Sequence, residues 1–599
     1  MCGIFAMFLR RPLNELDLAG ARRVLGEIAH RGPNGQGEWV DIERGVFLGH
    51  RRLSIIDLSH ASNQPIVRGE HAFIFNGELY NFQELRGDLE QVGVSFESSG
   101  DGEVLLRSMT HWGVKAFDRV DGMFALADWD GRRALLAVDA FGEKPLFVAE
   151  TAEGVYLCSE IDPLARLLGL KPCLEEEDWV AYLSLGFIPQ PKTFYADVEM
   201  LPPGSWREVV NGRLGPINSY WKPPLAEPGR SAPQPIPNKK LDELAEALTE
   251  SLERRLIADV PLTLFLSAGI DSALVAALCR CELNHEVHCL TVAFQKADGM
   301  YDEAPAARHI ANHLGFEHQI IDIETANVDA AHLVDLLGQP NGTVGALPLE
   351  QISASARGAG FKVALTGMGG DEVTAGYAKH AYLWRLRRLF AIPHMLREPL
   401  GVTMCILGQR GVRVSSLLRA SLPEVYLAVK NYPALDWLRS LPGYQDWVQH
   451  EFSSGVAPEL AVPHYELTTV LPAVHLLTSD HSSMRHGLEL RTPFLNRKVV
   501  EVIADWDPRA LIAFGQKAVL RNILDRYLPR KLTDQPKVGF SFPRNNLVQR
   551  CAPIDLPGLE GYSESLWQRR EEGGGWLNIA VRLAAAEDFF STRVGGSQL

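Results

Sequence analysis

Phe265-Leu266-Ser267-Ala268-Gly269-Ile270-Asp271-Ser272 is the stretch that decides the architecture. It follows Val260-Pro261-Leu262-Thr263-Leu264, an apolar run of strand length, and precedes Ala273-Leu274-Val275-Ala276-Ala277-Leu278, a run of good helix formers. The reading is a strand, a tight loop of small residues, then a helix. Such a loop turns backbone N–H groups, with the hydroxyls of Ser267 and Ser272, toward a helix N-terminus whose partial positive charge suits a phosphate. Asp271 in the same turn is placed to hold Mg2+ against that phosphate. The spacing is neither GxxxxGK[ST] nor GxGxxG. From these residues alone, a plain structural turn remains open.

Working outward, residues 288–294 read as a strand, 304–314 as a helix and 361–365 as a strand. Strands alternating with helices predict α/β order around a mostly parallel sheet. Leu365-Thr366-Gly367-Met368-Gly369-Gly370-Asp371-Glu372 then falls at a strand end, where open sheets bind ligands. Its glycines allow close approach, and Asp371 offers a second Mg2+ carboxylate to pair with Asp271. Cys279, Cys281, His285, His288 and Cys289 cluster nearby, but at a spacing that fits no zinc pattern.

A chain of 599 residues exceeds one domain. Hydrophobic residues at 46% and charged residues at 22% are ordinary globular composition. The net charge of −15 argues against nucleic acid as a partner. No apolar run is long enough to span a membrane. Eight cysteines in so long a chain fit reduced thiols in a cytoplasm better than a disulfide scaffold. The N-terminus lacks the basic start of a signal peptide, and Cys2 occupies the position where myristoylation needs Gly. The expected setting is cytoplasmic, with small molecules as partners.

Cys2 follows the initiator Met. Loss of Met1 would leave a Cys whose α-amine, with an ordinary pKa of roughly 7.7–8.0, can take the proton from its own thiol. That thiolate would attack an amide carbonyl and form a thioester. Downstream come His30-Arg31-Gly32-Pro33, Gly49-His50-Arg51-Arg52-Leu53, Gln64-Pro65, Phe75-Asn76-Gly77-Glu78-Leu79, Gly100-Asp101-Gly102-Glu103, Asp121-Gly122-Met123-Phe124 and Asp139-Ala140-Phe141-Gly142-Glu143-Lys144. In order and spacing the series resembles a class II glutamine amidotransferase domain of the N-terminal nucleophile hydrolase fold. That resemblance implies two antiparallel sheets between layers of helices. It makes Cys2 the nucleophile, and it implies that Arg52 forks onto the glutamine α-carboxylate. Asp101 would take the α-ammonium with help from Glu78, while Asn76 and Gly77 would form the oxyanion hole. Asn-Gly is also the strongest short hairpin signal, so Asn76-Gly77 taken alone reads as a turn.

The loop 265–272 resembles the Ser-Gly-Gly-x-Asp-Ser loop of ATP pyrophosphatases, with Ala268 for the first Gly, tolerable if its φ is negative. The whole chain resembles the glutamine-hydrolysing asparagine synthetases. By that resemblance Phe265 and Val292 cradle adenine, and Ser267, Gly269, Asp271, Ser272 and Gly367 line the ATP site. Asp271 and Asp371 would hold Mg2+, and Lys537 would stabilise charge on the α-phosphate as pyrophosphate leaves. Glutamine, ATP and a carboxylate acceptor are the implied substrates, and a homodimer is compatible. Aspartate is the first-choice acceptor, with a sugar acid or natural-product acid as the alternative. Three departures motivate that alternative: Met368 where the family usually has an acid, His481 for Arg, and Asn496 for Asp, the last two expected to shape the core and the acceptor side. An intact Cys2 speaks against a ring-closing synthetase that works without glutamine. Cys2 and the Asp271/Asp371 pair together speak against a non-catalytic sensor.

The expected domains are a glutaminase over 1–210, a Pro-rich linker over 211–240, an α/β ATP-pyrophosphatase synthetase over 241–550, and a tail over 551–599. A helix is expected over 174–185 and another over 241–257, feeding the strand before the ATP loop. Gly573-Gly574-Gly575 and the end from Gly595 read as flexible.

Overall fold

The computed structural model describes residues 2–225, 227–229, 231–294, 303–323, 330–432, 434–452, 456–534, 569 and 575–594. The first half holds two antiparallel sheets among these residues. In one, strand Cys2–Leu9 runs between Val46–Arg52 and Gly154–Cys158. In the other, His71–Leu79 runs between Ile66–Arg68 and Gly122–Trp129. Cys2–Leu9 is buried along its whole length, and its period of two divides the work. Ile4, Ala6 and Phe8 pack with Ala72, Ile74, Ala125 and Ala127 of the second sheet. Phe5, Met7 and Leu9 face a helical layer containing Val24, Leu25 and Leu164. Phe73 and Phe75 point outward to Leu85, Leu89, Val104 and Leu105 on two further helices. Sheet on sheet between helices is the layering expected of an N-terminal nucleophile hydrolase.

The second half is built on a wholly parallel sheet among the described residues, in the order His318–Ile323, His288–Phe294, Leu262–Phe265, Val363–Leu365, Glu489–Arg491. Helix Ile270–Cys281 follows Leu262–Phe265, as the sequence predicts, and helix Asn238–Arg255 feeds it. No described helix is long and apolar enough to cross a membrane.

One expectation fails at the C-terminus. Gly575 opens a helix, Gly575–Val594, rather than a flexible run. Ile579, Ala580, Leu583 and Phe589 join the core shared with Trp179, Tyr182 and Leu337, and Phe590 stacks on Trp179 at 5.5 Å. Its alanine-rich apolar face makes sense only against partners distant in sequence, Ala330–Leu337 and Glu176–Leu185, as in the 2.7 Å bond from Tyr182 OH to the Arg582 carbonyl.

Candidate active sites

In the first half, Cys2, Arg52, Gly77, Glu78 and Asp101 converge on one small cavity. Asn76 and Gly77 lie inside strand His71–Leu79, not in a turn, so the hairpin reading falls. Antiparallel pairing with Gly122–Trp129 uses alternate residues of that strand. The opposite edge therefore presents the N–H groups of residues 75, 77 and 79. Phe75 N donates to Gln64 Oε1 at 2.6 Å and Leu79 N to Asp101 Oδ2 at 2.8 Å. Gly77, between them, lines the cavity. A Cβ there would sit 2.0 Å from the Met123 carbonyl, so only Gly fits.

The nucleophile and its neighbour divide one side chain. Cys2 N donates to Asn76 Oδ1 at 2.7 Å, while Asn76 Nδ2 is buried without a hydrogen-bond partner. A buried donor left unpaired costs free energy unless a ligand completes it. Burial pushes the Cys2 thiol upward, opposed by the nearby N-terminal charge, so attack needs a base.

The charges in the cavity match the two ends of an amino acid. Arg52 is clasped by neutral acceptors: the Ser59 carbonyl and Asn63 Oδ1, each at 2.8 Å, and the Asp57 carbonyl. Opposite, Glu78 and Asp101 are two buried carboxylates, each pushed up chiefly by burial; for Glu78 the charges of Glu489 and Asp101 add to it. Glu78 Oε2 has no hydrogen-bond partner. An ammonium group between them would relieve both.

In the second half, the loop after Leu262–Phe265 abuts the loop after the neighbouring strand Val363–Leu365. Ser267 N donates to Ser272 Oγ at 3.0 Å, and Gly269 N to Ser267 Oγ at 3.1 Å. A Cβ on Gly367 would lie 2.6 Å from Ser272 N, and one on Gly370 2.8 Å from Asp271 Cγ. Ala268 is not among the residues with positive φ, so its methyl is accommodated. Phe265 and Val292, at adjacent strand ends, share an apolar cluster with Leu290 and Leu349.

Asp271 and Asp371 meet at one cation, the ammonium of Lys517, which contacts Asp271 and lies 2.8 Å from Asp371 Oδ1. Two hard oxygen donors converging on one positive charge fit Mg2+, which takes one or two carboxylates and completes its shell with phosphate oxygens. Among the described residues no group of three His, Cys, Asp or Glu side chains could hold a metal. Nothing in the sequence singles out Lys517. Its φ of 53° is the signal in the structure, since non-Gly residues held there mark functional strain. Lys537 lies outside the described residues.

The two sites are joined by buried charge. Arg31 Nε donates to the Cys2 carbonyl at 3.2 Å, and Arg31 NH2 to Asp480 Oδ2 at 2.7 Å. Asp480 belongs to helix Leu477–Met484, and its neighbour Ser479 donates to Met368 Sδ at 3.3 Å. Arg491 NH2 lies 3.9 Å from Glu78, and Thr492 Oγ1 donates to Glu143 Oε2 at 2.5 Å.

These contacts correct the grouping of the three departures. Asn496 Nδ2 donates to Asp121 Oδ2 at 3.0 Å across the halves, where an Asp would face a like charge. His481 is buried beside Glu160 and Asp480 and holds the Leu477 carbonyl at 3.1 Å. Both serve the interface. Met368 alone sits on the loop after Val363–Leu365, beside Asp271 and Ser272.

Residues 1–221 match the family described as glutamine amidotransferase domain, and residues 243–555 the family described as asparagine synthase. A Mycobacterium tuberculosis (strain ATCC 25618 / H37Rv) protein, provisionally named an asparagine synthetase (glutamine-hydrolyzing), is 32% identical, covering 91% of this chain and 88% of the relative. Asparagine synthetase (glutamine-hydrolyzing) 1 of Bacillus subtilis (strain 168) is 29% identical, covering 91% and 87%. Amidase chry2 of Gibberella zeae is 26% identical, covering 91% and 89%.

Proposed function

The chain belongs to the asparagine synthase family, and on that premise we propose that it is a glutamine-dependent, AMP-forming amide synthetase. Cys2 sulfur attacks the glutamine amide carbon, its proton passing through the α-amine to the departing ammonia, and water then hydrolyses the thioester to glutamate. Arg52 holds the substrate carboxylate, Asp101 and Glu78 its ammonium, and Asn76 Nδ2 and Gly77 N the oxyanion. Ammonia passes inside the protein to the second site. There the acceptor carboxylate displaces pyrophosphate from ATP, and ammonia displaces AMP from the acyl-adenylate. Asp271 and Asp371 would hold Mg2+, which supplies charge neutralisation on the phosphates. Lys517 would stand by the phosphates beside those two carboxylates, and Lys537, by the family resemblance, would stabilise charge on the α-phosphate as pyrophosphate leaves. The division into 1–210, 211–240, 241–550 and 551–599 belongs to the same proposal.

The observation that carries this reading is the cavity at Cys2, with an unpaired buried amide donor, one uncompensated guanidinium and two buried carboxylates. Aspartate is the first acceptor to test. A second reading, amidation of a different carboxylic acid such as a sugar acid or natural-product acid, is favoured by Met368. Its thioether meets Ser479 rather than offering a charge to an acceptor ammonium. Amidase-named relatives fit this reading too. The deciding assay is pyrophosphate release from MgATP and glutamine with and without aspartate, with asparagine measured alongside. Aspartate-dependent pyrophosphate matched by asparagine selects the first reading. Intact glutaminase without an aspartate response selects the second. Pyrophosphate release from no acid, by a protein that hydrolyses glutamine, refutes the synthetase assignment.

A further inference from the structure

Helix Ala378–Phe390 starts two residues after Gly376, where an added Cβ would meet Asp371 Oδ1 at 2.7 Å and Lys517 Cε at 2.8 Å. Residues 512–516 reach the same place from the other side and end beside Lys517. Between them opens a cleft of about 690 Å3, whose walls include Arg385, Arg387, Arg388, Arg413, Tyr382 and Trp384 and no acidic side chain.

The arginines are arranged unlike most others in this acidic chain. Arg254 meets Glu84, Asp121 and Glu250, and Arg439 meets Glu424 and Asp436. Among the described residues, no carboxylate lies within 4.0 Å of the four cleft guanidinium groups. Two of them are held by aromatic faces instead: Arg387 lies 3.7 Å from the centre of the Trp384 ring, and Arg413 lies 4.7 Å from that of Tyr382. Stacking uses the flat face of a guanidinium and leaves its N–H edge for a ligand. Arg387 NH1 is further fixed by the Trp384 carbonyl at 2.5 Å, and buried Arg413 Nε has no hydrogen-bond partner. Fixed, unpaired guanidinium edges suit phosphate oxygens bidentately.

We propose that this cleft binds a compact, multiply charged phosphate anion, and that its source is the pyrophosphate released at Asp271, Asp371 and Lys517. The location of the source rests on the reading of those residues as the phosphate end of the ATP site. Arg385 lies seven residues beyond Ala378, about 10 Å along the helix. The cleft opens at Ala378, Gly515 and Gln516, next to the residues that flank Asp371 and Lys517, and its arginines lie along it, so they are positioned to receive the product as it leaves.

The test measures magnesium pyrophosphate binding to the full chain by calorimetry, for wild type and for Arg385→Ala/Arg388→Ala/Arg413→Ala. The expected result is at least tenfold weaker binding in the triple variant, a matching rise in the inhibition constant of pyrophosphate, and less than twofold change in KM for ATP. Glutaminase rate reports folding, and if the triple variant misfolds, the exposed single changes Arg385→Gln and Arg388→Gln replace it, with a threefold or larger loss expected from each. Unchanged pyrophosphate affinity overturns the site. An equal loss in ATP affinity also overturns it, because the arginines would then belong to the ATP site. ADP serves as a second probe. If the variants lose a second ADP site while keeping pyrophosphate affinity, the source is a nucleotide and the pyrophosphate assignment fails. The binding arm decides this proposal even if no acid supports adenylation.

Discussion

Replacing Asn76 separates two roles that share one side chain. Its Oδ1 accepts Cys2 N at 2.7 Å, and its Nδ2 is unpaired toward the reaction. Loss of one oxyanion donor costs roughly 2.7–4 kcal/mol, and loss of the bond to Cys2 N about 0.5–1.5 kcal/mol. Asn76→Ala should therefore lower glutaminase kcat by roughly 10^2- to 10^4-fold. Asn76→Asp keeps an oxygen for Cys2 N but sets negative charge where the oxyanion grows, so it should be no more active than Asn76→Ala. If Asn76 served only to position Cys2, Asp would hold the amine better and outperform Ala. The assay is glutamate production, with ammonia-dependent pyrophosphate release as the folding control, which should stay near wild type. An Asp variant clearly more active than the Ala variant refutes the oxyanion assignment.

Cys2→Ala should abolish glutamine use yet retain ammonia-dependent synthesis, and loss of both in a folded variant would contradict the two-site division. Lys517→Met should suppress pyrophosphate release by two orders of magnitude or more, with glutamate production the unaffected comparison. Asn496→Asp should lower the apparent Tm by setting a carboxylate against Asp121, and Asp121→Asn in the same chain should restore it, as a thermal-shift cycle would show. Burial and the charge of Asp139 push the Glu143 carboxyl up to about 7. The folded protein then holds a proton that the unfolded chain releases near the ordinary carboxyl pKa of about 4.5. This contribution to stability is full below about 4.5 and is lost as pH rises through about 7. Glu143→Gln should accordingly raise Tm relative to wild type at pH 8 more than at pH 5, and an equal difference at both would contradict the shift.

The residues most legible in sequence are those whose chemistry is dictated by a substrate. A glutamine needs a cation for its carboxylate and anions for its ammonium, and Arg52, Asp101 and Glu78 do line one cavity. The strand-loop-helix around Asp271 was readable because apolar runs and small residues act locally. Lys517 was not, since its meaning comes from carboxylates 246 and 146 positions away and from a left-handed backbone turn. Asn76-Gly77 shows local preference overridden: the hairpin signal is real, but pairing with Ala125 and Phe124 draws both residues into a strand. The C-terminal helix is not legible locally, because alanines and glycines announce no partner. Its partners, Ala330–Leu337 and Glu176–Leu185, lie hundreds of positions earlier.

Arg31 has no exposed surface, and its charge is answered by Glu160 from one half of the chain and Asp480 from the other. Removing one partner of such a buried pair costs about 3–5 kcal/mol. Lifted out alone, the glutaminase half would keep Glu160 on Arg31 but lose Asp480, so a foreign acceptor enzyme grafted to it would have to bring its own acid to this spot or leave a buried guanidinium half-answered.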